Sequence, residues 1–294
     1  MKPLRGWIIP EDDARAMLLP LGPGHCPEFT FYADASADTE LCFHLRTTER
    51  PDNFTPDVSL ASVRVPLPAG LNRKVVARFP VTLDQTRYCF VCIDPDAVAR
   101  LHLSDFRMTG VLSLNRSERY GRQEPPDGSG FDAFEFWVPH RRPGGKNLAM
   151  DVAPPLVPFF AASLTNGVNR PTSSPNAWVA ALEDHKPTLT LRWPEPVSIT
   201  SVVLCFDTDF DHPLESVLMT HPEEVSPFCV RRVTIKNEAG HVLAEIQENH
   251  LSQRTIRLNE PCRTRQLTLE LSHPESGSPA ALFGVRCYGD EKAE

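Results

Sequence analysis

The chain has 294 residues, 41% hydrophobic and 23% charged, a balance that argues against wholesale disorder and supplies apolar surface for a packed core. A net charge of −8, with only the isolated basic pairs Arg141–Arg142 and Arg231–Arg232, argues against a nucleic-acid partner, which would need clustered Lys and Arg. No stretch approaches the ~20 consecutive apolar residues of a membrane span and the first residues show no export signal, so no membrane partner and, by default, a cytoplasmic location are expected.

At ~150 residues per domain the length suits two domains. Residues 1–24 form a lead-in, in which residues 11–19 read as about two helical turns with acids at their start. From residue 25 the apolar period becomes two. Strands are expected at Glu28–Ala33, Thr39–Arg46, Val58–Leu67, Lys74–Val81, Arg87–Ile93, Gly110–Leu114 and Phe134–Val138, making residues 25–139 an N-terminal β-sandwich. The polar stretch 116–132 is a long loop. Its Gly128-x-Gly130-x-x-Ala133 matches a dinucleotide fingerprint formally, but no strand precedes it and no helix follows to receive a phosphate.

Residues 140–156, rich in Pro, Gly and basic residues, read as a linker. Residues 157–290 repeat the β pattern. Leu189–Trp193 is followed by a turn at Pro194–Pro196 and a strand at Val197–Phe206. Arg231–Lys236 and Val242–Ile246 form a hairpin through Asn237–Gly240, and strands follow at Gln253–Leu258, Arg265–Leu271 and Phe283–Tyr288. The expected class is all-β, with two antiparallel β-sandwich (jelly-roll) domains. The 29 prolines, set mostly between apolar runs, fit short strands joined by turns.

Eight cysteines stand at positions 26, 42, 89, 92, 205, 229, 262 and 287. Several lie inside apolar strand-like runs, and reduced thiols are expected. Cys89-x-x-Cys92 has metal spacing, but residues three apart on a strand point to opposite faces, so the sulfurs should diverge.

The stretch Thr165–Trp178 is dense in turn formers and ends on a large aromatic. Asn169, Arg170, Asn176 and Trp178 could form a sugar platform, with an aromatic face for C–H groups and amides and a guanidinium for hydroxyls. The alternative is that Trp178 is a buried plug and the asparagines cap turns. Asn166-Gly167 suits a turn with positive φ. The alternating acids Asp207, Asp209 and Asp211, followed by His212, offer oxygen ligands for Ca²⁺ or a polar ligand contact, against the plain reading of a solvated acidic loop. They lack the glycine and glutamate positions of an EF-hand. No nucleophile elbow is present, and no carboxylate pair stands out, so an enzyme is not favoured.

Asn166-Gly167 leading to Trp178, Leu191–Pro196, Val197–Leu204 and the terminal Leu282–Tyr288 follow one another in an order that resembles the discoidin, or coagulation factor 5/8 type C, galactose-binding-like jelly roll and the carbohydrate-binding modules that share its fold. The same segments, with Arg50–Asp57, His102–Asp105 and Phe134–Trp137 in the first half, resemble the C-terminal β region of some bacterial FAD-dependent oxidoreductases. The first resemblance implies a carbohydrate ligand and a structural Ca²⁺ near the opening loop, with Asn166 where the usual acid stands. The second implies a flavoprotein partner, without the flavin domain itself. The expected function is therefore a non-catalytic carbohydrate-binding or interaction protein, the alternatives being an accessory part of a flavoenzyme and a polysaccharide hydrolase or lyase.

Overall fold

A computed structural model describes residues 13–49, 55–117, 122–123, 134–135, 137–140, 145–156, 159, 161–169, 176–208 and 226–289. The chain divides into two compact units, the first running to Pro158 and the second formed by Phe159–Pro171 and Asn176–Glu294, with Thr172–Pro175 grouped with the first. Among the described residues both units are β structures. The one helical element is a 3-10 turn at Ala161–Thr165. The all-β, antiparallel architecture expected from the sequence holds.

In the first unit the main strands are β1 (Asp13–Leu21), β2 (Glu28–Ala35), β3 (Thr39–Thr47), β4 (Val58–Leu67), β5 (Gly70–Ala77), β6 (Arg87–Ile93), β7 (Leu112–Ser117), β8 (Val138–Pro139) and β9 (Met150–Ala153). One sheet runs β8-β7-β1-β6-β3-β4, and a smaller one runs β9-β2-β5, with Ala99–Leu101 also paired to β2. Alternate residues of both sheets meet in one core: Phe43, Leu45, Val91 and Ile93 from the larger, Phe29, Phe31, Val75 and Met150 from the smaller. The two sheets thus close as a sandwich over a common apolar layer.

β1 corrects the helical reading of residues 11–19. It is a central strand, hydrogen-bonded to β6 on one side and β7 on the other. Ala14, Ala16, Met17, Leu18 and Leu19 are all buried, so both faces of the strand are covered. A strand buried on both faces reads as an unbroken apolar run, which periodicity cannot tell from a buried helix.

The second unit contains β10 (Trp178–Val179), β11 (Thr188–Phe206), β12 (Val233–Asn237), β13 (Val242–Ile246), β14 (Gln253–Leu271) and β15 (Ala281–Tyr288), ordered β10-β15-β11-β14-β12-β13. The predicted hairpin is β12–β13. Its turn is held by Asn237, whose Oδ1 accepts from the Ala239 and His241 amides at 3.1 and 2.9 Å, and by Gly240 at φ 80°.

The predicted turn at Pro194–Pro196 is instead an irregularity inside a single long strand. Pairing jumps from Arg192↔Gln266 to Val197↔Thr264, so four residues of β11 oppose one of β14. Pro194 and Pro196 have no N–H to give a ladder, which is why the register breaks there without ending the strand. A second shift lies between Ile199 and Ser201. With these breaks, residues from both ends of β11 and β14 join one core: Leu189, Val202, Leu204 and Phe206 from β11, Leu267 and Leu269 from β14, with the half-buried Ile256 packed against them.

On this sheet Glu270 accepts from Lys236 Nζ at 2.8 Å and pairs with Lys186 Nζ at 3.0 Å. The Lys236 hydrogen bond, then that of Lys186, holds its carboxyl below the ordinary glutamate value. A depressed carboxylate stabilises the fold above its unfolded-state pKa, and that stability is lost as pH falls through the folded-state pKa. Glu270→Gln is therefore expected to lower stability by about 0.5 kcal/mol at neutral pH, a difference that shrinks as pH falls through the folded-state pKa, read from urea midpoints across an acid pH series.

Candidate functional site

The stretch singled out in the sequence begins on the 3-10 turn and leaves it as an exposed loop, Thr165–Asn169. Gly167 takes φ 89°, the left-handed conformation expected for an Asn-Gly turn. Asn166 supports it locally, its Oδ1 accepting from the Val168 amide at 2.9 Å.

The loop is fixed from below by Asn176, which is 4% exposed. Its Nδ2 donates to the Val168 carbonyl at 3.1 Å and to the Phe283 carbonyl at 3.4 Å, while its Oδ1 accepts from Asn166 Nδ2. Asn176 therefore lies under the loop with both ends of its amide engaged by protein, the capping role rather than a face turned to a ligand. Beneath it Ala177, Cys205 and Phe283 form a small apolar cluster with Phe159 and Val179 packed against it. Trp178 is half-buried, pairs with Leu282 and packs against the main core of the unit.

A residue the sequence reading did not name completes the loop. Arg286, on β15, donates from Nη2 to the Gly167 carbonyl at 2.6 Å and to Asn169 Oδ1. The guanidinium ties down the loop tip and stands beside an exposed amide. Burial pushes the Cys205 thiol up, with Arg286 acting in the opposite sense. The alternation of Phe283–Tyr288 places Arg286 and Gly284 on one face, but which loop that face meets is set by pairing with β11, outside any local pattern.

Arg170, Asp209, Asp211 and His212 lie outside the described residues. Asp207 is buried at the end of β11 rather than solvated. The Cys229 thiol is pushed up to about 11, chiefly by burial, and Asp207 adds to the rise. Among the described residues Asp207 joins no cluster of metal-ligating side chains. None of the eight cysteines is joined in a disulfide. Cys89 belongs to the intersheet core whereas Cys92, on the opposite face of β6, does not, so the two sulfurs diverge. Among the described residues no helix is long and apolar enough to cross a membrane.

No family model matches the chain, and no curated protein matches it. Solved structures do show similarity. The family 32 carbohydrate-binding module of Streptococcus pneumoniae EndoD is 15% identical, with a TM-score of 0.35, covering 48% of this chain and 93% of that one. A fucolectin from the serum of Morone saxatilis is 8% identical, with a TM-score of 0.32, covering 97% and 85%. Allantoicase from Saccharomyces cerevisiae is 9% identical, with a TM-score of 0.31, covering 99% and 84%. At these identities and TM-scores the likeness transfers neither site nor function.

Proposed function

We propose that the chain is a non-catalytic carbohydrate-binding protein whose ligand is held by the exposed loop of the second unit, with Asn169 and Arg286 as its polar contacts. The observation that carries this reading is the Arg286 clamp on the Gly167 carbonyl and Asn169. It holds a guanidinium and an amide together on an exposed loop whose backbone is fixed by Asn166 and Asn176. Such a pair can accept and donate to vicinal hydroxyls, and a loop ordered before binding loses little entropy on binding. The resemblance of this region to galactose-binding-like modules points the same way. Trp178 packs against the core of the same unit.

A glycan-binding screen is the test. Wild type should bind at least one sugar, Arg286→Ala and Asn169→Ala should each weaken that binding about tenfold or more, and their melting temperatures should stay close to wild type. No binding to any sugar by wild type removes this reading. A second reading, an accessory subunit of a flavoprotein, is favoured by the wording of Asn166–Val179, Glu195–Asp209 and Phe283–Tyr288. Co-purification of bound flavin or of a separate flavoprotein chain supports it, and a lone colourless protein in pull-downs counts against it.

A further inference from the structure

In the first unit, three metal-ligating atoms converge on one point at the face of the larger sheet turned away from its core. Cys42 and His44 are two apart on β3, so both project to the same face, opposite to core residues Leu41, Phe43 and Leu45. Asp94 follows directly on β6, and its amide donates to the Cys42 carbonyl at 3.1 Å, placing it across from Cys42. His44 Nε2 lies 3.5 Å from Cys42 Sγ and 3.0 Å from Asp94 Oδ2, and all three ligand atoms lie within 4.8 Å of one another. A tetrahedral zinc-type ion bound by these groups would set S···N at ~3.6 Å and N···O at ~3.4 Å, close to the spacing already present.

The surroundings fit as well. His44 Nδ1 is 2.7 Å from Ser62 Oγ on β4. That contact would fix the ring with Nδ1–H donating to the hydroxyl and leave the Nε2 lone pair for a metal. Cys42 and Asp94 line a cavity of about 260 Å³ together with Glu40, Arg64, Pro95 and Asp96. It leaves room for a water as fourth ligand. Arg64, which also faces the Cys42 thiol, is paired with Glu40 at 3.5 Å. One cation would engage all three groups at once.

We propose that Cys42, His44 and Asp94 bind a borderline divalent cation of the zinc type, with Ser62 orienting the histidine. Cys42 binds as thiolate, its proton passing to solvent as the metal–sulfur bond forms. This site stands apart from the carbohydrate reading and does not depend on it.

Cobalt titration of the full chain, purified metal-free under reducing conditions, tests it. One equivalent of Co²⁺ should give thiolate-to-cobalt charge-transfer absorption, and Zn²⁺ should abolish it. Cys42→Ser should lose the band, Asp94→Asn should bind at least tenfold more weakly, and Ser62→Ala about tenfold more weakly, the usual range for an orienting partner. Far-ultraviolet circular dichroism without metal controls for folding. Should Cys42→Ser fail that control, the exposed Asp94→Asn carries the test. Absence of the band in wild type overturns the proposal. So does a band unchanged in Cys42→Ser, since another of the eight cysteines would then hold the metal, or unchanged affinity in a folded Asp94→Asn, since Asp94 would then be no ligand.

Discussion

Phe43→Ala is expected to lower the stability of the first unit by about 3–5 kcal/mol, the range for removing a large aromatic from a closed core. Phe43 is fully buried on β3, in the larger sheet. Its ring stacks on Phe31 of β2, in the smaller sheet, with centroids 5.4 Å apart and planes at 29°. The pair joins the two layers of the sandwich. Alanine removes both the apolar burial and the ring contact, which itself adds about 0.5–1.5 kcal/mol beyond area. Leucine keeps most of the volume, so Phe43→Leu should cost only about 1–2 kcal/mol. Urea denaturation followed by circular dichroism gives both values. A loss under ~1 kcal/mol for Phe43→Ala would mean that the sheets do not close at this point.

How far the chain could be read in advance depends on where each residue finds its partners. β3 was legible because its outward face is only half-covered. Leu41, Phe43 and Leu45 are buried while Cys42, His44 and Arg46 are not, and alternation survives in the sequence. β1 was not, because both of its faces are buried, which erases the alternation. The Pro194–Pro196 break was visible, but whether it ends a strand or kinks one is decided by the partner strand β14. The loop at Thr165–Asn169 and its positive-φ glycine were legible from local turn chemistry. Its clamp was not: Arg286 sits 119 residues from Gly167. In the same way Cys42-x-His44 announces a shared face, but Asp94 joins them only through the β3–β6 register.

Asn176→Ala should be the most damaging single change around the loop, at about 2–3 kcal/mol, although Asn176 offers no surface to a ligand. The substitution leaves the Val168 and Phe283 carbonyls and the Asn166 amide without their partner, the Phe283 carbonyl at a buried position and the other two part-buried. An unsatisfied buried polar group costs about 1–3 kcal/mol, whereas a surface turn bond is worth less, so Asn166→Ala should lose only about 0.5–1 kcal/mol. Asn176→Asp keeps the shape but turns an acceptor toward two carbonyls, so it should not rescue the loop. The readouts are the thermal midpoint and amide hydrogen exchange at Val168 and Asn169, which should speed up in Asn176→Ala while the amides of β14 stay protected. Glycan affinity should fall with the loss of loop order, because Arg286 and Asn169 then have no fixed separation. Unchanged exchange at Val168 in a destabilised Asn176→Ala would place the role of this side chain in the apolar cluster beneath it, and the loop would owe its shape to Arg286 alone.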